Sequence, residues 1–194
     1  MKSIVVFCGS SLGSNPEIKS QAQELAKIMA NANIQLIYGG AKIGIMGAIA
    51  DEVLKNNGNV VGVIPKFLSA REVAHENLTN LIVVDSMHER KTKMSELGEG
   101  FIALPGGYGT LEELFEIVTW AQLGLHQKPI GILNVDGYYD AIVEHINVMV
   151  NNGFMTPENK ELILVDDNVN GLLSLMINYK PKPVKKWISN MDQI

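Results

Sequence analysis

Apolar residues along this chain fall into short unbroken runs, separated by longer stretches in which they recur at helical spacing. The runs at residues 3–7, 35–38, 59–64, 81–84, 101–104, 129–133 and 163–165 have the length and continuous hydrophobicity of strands buried on both faces. Between them the period changes. Ile18, Ala22, Leu25, Ala26 and Met29 mark a helix over 16–32, a second helix runs through Leu54, and Ile142, Val143, Ile146, Met149 and Val150 mark another over 138–151. A last helix includes residues 172–177. Strand and helix alternate throughout, which predicts an α/β fold with a parallel sheet.

The most informative stretch is 101–120, FIALPGGYGTLEELFEIVTW. Its apolar run stops abruptly at Pro105-Gly106-Gly107, and Leu111, Leu114, Phe115 and Val118 then form a core-facing stripe on a helix starting at about Thr110. Glycines let the backbone approach a ligand closely, and the free N–H groups at a helix start favour an anion, so the turn through Gly107, Tyr108, Gly109 and Thr110 suits a phosphate. The tetrad Thr110-Leu-Glu-Glu113 is equally a capping box, in which Glu113 bonds back to the N-cap amide. A capping box, however, needs no Gly-Gly-x-Gly before it. Glu112, Glu113 and Glu116 suit the helix dipole but would repel a phosphate placed beside them, so Glu113 is expected to point elsewhere. One helical turn, about 5.4 Å, would let it face the sugar of a nucleotide.

Other junctions add candidates. Cys8-Gly9-Ser10-Ser11 follows the first strand, where open α/β sheets bind ligands, and Ser10 and Ser11 can contact phosphate or ribose. Cys8 itself reads as a small buried hydrophobe without chemistry. A second glycine-rich junction spans 39–47, in which Gly39 and Gly40 either touch a ligand or make room for a neighbouring loop. Neither GxGxxG nor GxxxxGK[ST] occurs, which weakens dinucleotide and nucleoside-triphosphate readings. At 100° per residue, Met87, Arg90, Lys91, Met94 and Gly98 share one helix face. Two cations on a core-facing stripe either address a buried anion or carboxylate, or snorkel past the methionines to water. Arg71, Glu72, His75 and Glu76, in an irregular segment after Pro65, read singly as solvated surface. His88, His126 and His145 read as surface too, with no spacing that suggests a metal.

Composition narrows the classes. With 194 residues, 46% hydrophobic and 19% charged, the expectation is a single domain over 1–180 and a polar tail, 181–194, that docks by Trp187 or stays mobile. A net charge of −5 argues against a nucleic-acid footprint. One cysteine, no membrane-length apolar stretch and Met-Lys-Ser leading directly into a strand point to the cytoplasm and away from membranes. Glu113, Ile117 and Trp120 share a second face of the central helix, which needs a cover. Either another helix of this chain or a second subunit supplies it, and the expectation is a homodimer with the site near the interface.

Pro105-Gly-Gly-Tyr-Gly-Thr-Leu-Glu-Glu113 resembles the PGGxGTxxE motif of the LONELY GUY family of cytokinin riboside 5′-monophosphate phosphoribohydrolases. The resemblance extends to VFCGSS at 6–11, YGG at 38–40, MHERK at 87–91 and NGF at 152–154. It implies a Rossmann-like, doubly wound, mainly parallel sheet with helices on both faces. It also implies a homodimer that cleaves the N-glycosidic bond of adenosine 5′-monophosphate or an N6-modified analogue, without metal or organic cofactor. By position, Glu113 and Arg90 correspond to the catalytic pair and Gly107 to Thr110 to the phosphate turn. Glu72, Lys91 and Thr119 correspond to further substrate contacts, and Ser10, Gly40, Met87 and Glu112 complete the candidate set. Arg90 could hold phosphate, hold the carboxylate or assist the departing base. A general nucleoside 5′-monophosphate nucleosidase and a non-catalytic nucleotide or cofactor carrier are the alternatives. The label lysine decarboxylase, carried by some relatives, finds no recognisable pyridoxal-phosphate lysine here.

Overall fold

The apolar runs become strands β1 (Ser3–Phe7), β2 (Gln35–Tyr38), β3 (Val60–Pro65), β4 (Asn80–Val84), β5 (Phe101–Ala103), β6 (Ile130–Leu133) and β7 (Ile163–Asp166) in the computed structural model, which describes residues 1–69 and 74–181. They form one sheet in the order β4-β3-β2-β1-β5-β6-β7, and every neighbouring pair is parallel. Helices α1 (Pro16–Asn31), α2 (Gly44–Lys55), α3 (Lys66–Leu68), α4 (Met87–Leu97), α5 (Tyr108–Gln122), α6 (Asp140–Asn151), α7 (Pro157–Lys160) and α8 (Val169–Ile177) connect them. The single-turn helices α3 and α7, and a 3-10 turn at Val135–Gly137, are too short for any period to reveal.

Both faces of the sheet are covered, which is why the strands read as unbroken apolar runs. Ile4, Val6, Leu36 and Ile102 pack with residues of α1, α2 and α8, whereas Val5, Phe7, Ile37 and Phe101 pack with Met94 of α4 and Leu114 and Ile117 of α5. The second face of α5 is therefore covered from within the chain. Ile117 is 2% and Trp120 7% exposed, so of the two covers the sequence left open for this face, the chain itself supplies it. Trp187 lies outside the described residues.

Strand order reverses at β1, with β2 on one side and β5 on the other. The loops after β1 and β5 must then diverge to opposite faces, leaving a crevice at the carboxyl ends of the strands. Among the described residues no helix is long and apolar enough to cross a membrane.

Candidate active site

Three loops meet over that crevice. The Gly9 amide donates to the Pro105 carbonyl at 3.2 Å, joining the β1 loop to the β5 turn, and the Ile45 amide at the start of α2 donates to the Gly9 carbonyl at 3.1 Å. A Cβ on Gly106 would run into the Thr110 hydroxyl and crowd the Gly9 amide, so this glycine is required by the junction itself. Gly107 and Gly109 differ. A Cβ on either would meet nothing within 4 Å, so packing does not demand glycine there, and space is left above both backbones. The cavity between the loops holds about 300 Å³ and is lined by Ser10, Ile18, Ile45, Gly106, Gly107 and Tyr138 among others.

The central helix starts at Tyr108, two residues before the expected N-cap, with Gly107 as N-cap and no side chain capping it. Thr110 is thus in the first turn, buried, and the capping box does not form. Glu113 is free for another partner. Its Oε1 accepts from Arg90 Nη1 at 2.7 Å, on the α4–α5 side of the same strand ends, and both residues are only 8% exposed. Arg90 Nε donates to the Val63 carbonyl at 3.1 Å, and the guanidinium occupies the space that a Cβ on Gly39 would fill. Burial pushes the Glu113 carboxyl above the ordinary glutamate range, and the pull of Arg90 in the other direction does not overcome it.

Lys91 resolves the charge problem at the start of α5. Its Nζ lies 2.5 Å from Glu112 Oε1 and 2.8 Å from Glu116 Oε1, so both cations of the α4 face address carboxylates and neither snorkels to water. Burial works against the ammonium, but the two carboxylates outweigh it and raise its pKa. Three carboxylates facing two cations leave about one net negative charge where the sequence displayed three. An anion at the Gly107 turn meets a helix N-terminus whose acidic residues are largely neutralised.

A family model described as "Possible lysine decarboxylase" matches residues 46–176. Cytokinin riboside 5′-monophosphate phosphoribohydrolase LOG1 of Arabidopsis thaliana is 45% identical over 198 aligned positions, which cover 100% of this chain and 92% of that protein. The probable cytokinin riboside 5′-monophosphate phosphoribohydrolase LOGL2 of Oryza sativa subsp. japonica is 42% identical, with 98% and 80% covered. The chain belongs to the LONELY GUY family. Among solved structures, the molybdenum cofactor binding protein of Rippkaea orientalis superposes with a TM-score of 0.69 over 91% of this chain and 96% of that one, at 19% identity. That likeness establishes a shared fold.

The residues matched to the LONELY GUY motifs are not all in one place. Arg90, Lys91, Glu112 and Glu113 form one cluster, while Ser10 and Gly107 line the cavity; Tyr108, 93% exposed, and Gly109 open to solvent beside it. Met87 is exposed at the start of α4. Thr119 is exposed further along α5, its hydroxyl donating to the Phe115 carbonyl at 2.7 Å. Gly40 is buried at φ +78°, where a Cβ would press on Ile64 and Leu81, so the backbone alone accounts for it. Glu72 and Arg71 lie outside the described residues.

Two histidines correct their surface reading. His75 is buried, with Nε2 3.0 Å from Asp51 Oδ1 and its amide donating to the Gly40 carbonyl at 2.9 Å. His126 packs on the Phe101 ring with Nε2 2.9 Å from the Ile117 carbonyl, and burial lowers its pKa to about 4. Cys8 is buried, and desolvation raises its thiol pKa. Tyr138 is missing from the sequence-derived set, and Gly39, read there as touching a ligand or making room for a loop, makes room for the Arg90 guanidinium. Tyr138 follows a glycine at the carboxyl end of β6, the same kind of junction as the two recognised ones.

Proposed function

We propose that this protein hydrolyses the N-glycosidic bond of adenosine 5′-monophosphate, plain or N6-modified, to free base and ribose 5-phosphate. The observation that carries the proposal is the buried Arg90–Glu113 pair standing behind a turn whose glycines leave room for a phosphate. The names of relatives 42–45% identical over most of the chain support the same activity.

In this reading the phosphate rests on the N–H groups at the start of α5, and the anomeric carbon lies within reach of Glu113. The bond from anomeric carbon to base nitrogen breaks with its electron pair leaving on the base. The oxocarbenium-like sugar is stabilised by the carboxylate, which takes a proton from water as the water oxygen bonds to the anomeric carbon; that proton passes on to the departing base nitrogen, so the base leaves neutral and the carboxylate is regenerated. A carboxyl with raised pKa is the stronger base once ionised. Arg90, held by Val63 and Glu113, orients that carboxylate, and Lys91 keeps Glu112 and Glu116 from opposing the substrate's charge. Ser10, Gly107, Tyr108, Gly109 and Thr110 surround the phosphate and Met87 is a further contact; Glu72, outside the described residues, and Thr119 are carried as substrate contacts by the family resemblance alone. Lys91 is a poor Schiff-base lysine, because two carboxylates hold it as an ammonium.

The same proposal takes residues 1–180 as one nucleotide-binding domain, in the cytoplasm, acting as a homodimer. Exposed Phe67, Val83 and Met87 around the end of the edge strand β4, next to Arg90, support an interface there. A mass of 21.2 kDa by light scattering at micromolar concentration would refute the dimer.

The activity is tested by incubating the protein with AMP and with N6-isopentenyl-AMP and following free base and ribose 5-phosphate by chromatography. Release that disappears in Glu113→Gln supports the hydrolase, and the rate ratio separates cytokinin activation from general nucleotide hydrolysis. Binding of both nucleotides without cleavage would favour a carrier.

A further inference from the structure

Consecutive tyrosines hold two carbonyls of the β5 turn. Tyr139 Oη donates to the Leu104 carbonyl at 2.7 Å and Tyr138 Oη to the Gly106 carbonyl at 2.6 Å, with the two rings edge to face at 5.0 Å between centroids. The segment that presents them is itself braced. Asp136 at φ +50° and Gly137 at φ +72° bend it sharply, the Asn134 side chain accepts from the Tyr139 amide at 2.7 Å and donates to Asp140 at 2.7 Å, and Asn15 donates to Asp136 at 2.8 Å. Asn15 also caps α1, so the loops after β1, β5 and β6 are tied together around the cavity.

The two phenols differ in what they can be doing. Tyr139 is 1% exposed and belongs to the core, whereas Tyr138 is 50% exposed and lines the cavity. A half-exposed ring contributes little to folding by burial. Its hydroxyl, however, fixes the one peptide in the turn that is flanked by glycine on both sides, and so has the least steric resistance to rotation. In a planar trans peptide, carbonyl and N–H point in opposite directions, so anchoring the Gly106 carbonyl dictates where the Gly107 N–H points. Flipping that peptide would replace a donor with a carbonyl oxygen, which repels an anion.

We propose that Tyr138 is a positioning residue: by holding the Gly106 carbonyl it aims the Gly107 N–H at the ligand's phosphate and prevents the peptide from flipping. This rests on the reading of the turn as a phosphate site, and it assigns a phosphate-specific role to a residue that need not touch the phosphate. Tyr138→Phe keeps the ring and removes only the anchor.

The test measures ribose 5-phosphate and adenine binding by calorimetry, with steady-state kinetics and melting temperature alongside. In Tyr138→Phe, ribose 5-phosphate affinity should weaken about five- to tenfold, as expected for losing one hydrogen bond's worth of preorganisation, and KM for AMP should rise in step. Adenine affinity and melting temperature should stay unchanged, with kcat within about twofold. Unchanged ribose 5-phosphate affinity overturns the proposal. So does an equal loss for adenine with a lowered melting temperature, which would make Tyr138 merely structural. Wild-type protein that binds ribose 5-phosphate but releases no base sinks the hydrolase reading and leaves this test intact; wild-type protein that binds no ribose 5-phosphate overturns both.

Discussion

Arg90 joins the sheet to the central helix: its Nε holds the Val63 carbonyl at 3.1 Å while its Nη1 holds Glu113 at 2.7 Å. Both side chains are buried, so neither charge has water as an alternative partner. Removing one should cost more than the pair itself contributes. Arg90→Ala is expected to lower stability by about 3–5 kcal/mol in urea unfolding, and adding Glu113→Gln should recover much of the loss. Arg90→Lys, which loses the fork geometry, should lower kcat about a hundredfold. Equal stability of Arg90→Ala and wild type would contradict the burial argument.

Gly39 supplies the space in which the guanidinium sits, and a Cβ there would collide with Nη2 and stand 3.2 Å from Met46 Sδ. Gly39→Ala should therefore displace Arg90 without touching the reacting groups. Overpacking of this kind costs about 1–3 kcal/mol, and we expect a melting temperature lowered by several degrees with kcat down at least tenfold. Full activity would mean that Arg90 can move without consequence.

The raised pKa of Glu113 bears on pH dependence. The carboxylate is the working form, so activity rises as pH increases through that pKa, and the acid limb of kcat/KM should lie above the ordinary glutamate range. For stability the sign is opposite: the folded state binds this proton more readily than the unfolded one, so acidification through the same window favours folding at this group. A pH–rate profile with an acid limb at or below the ordinary range would contradict the role given to burial.

His126 acts the other way. Its folded pKa is about 4 against an ordinary 6.5, so between those values the unfolded state binds more protons and stability falls on acidification. The loss is at most about 3–4 kcal/mol. Denaturant unfolding at pH 7 and pH 4.5 should show a smaller drop for His126→Gln than for wild type. Identical drops would show that His126 is not the titrating group.

The parts of the site that were legible in the sequence are those with a local signature. The glycine turn before α5 interrupts an apolar run, and Arg90 and Lys91 stand out as cations on a core-facing stripe. At Gly39 the sequence shows a glycine that can make room but not what for, because the guanidinium it accommodates is 51 positions later. Tyr138 was hidden because its partner, the Gly106 carbonyl, is 32 residues away and has no side chain to mark it.

By itself the sequence determined the alternation of strands and helices, the burial of the sheet on both faces and the family motifs, because hydrophobic period and turn chemistry act over a few residues. Only the tertiary structure decided what the charged groups do. The Thr110–Glu113 tetrad is compatible with a capping box in any isolated helix, and what overrides it is a guanidinium delivered from α4 into a dry space where an unpaired carboxylate would be far costlier than an uncapped helix. Likewise Ile117 and Trp120 look like an unpartnered face until the sheet and neighbouring elements close over them. Such choices depend on desolvation and on partners brought together by the fold, and no local pattern encodes them.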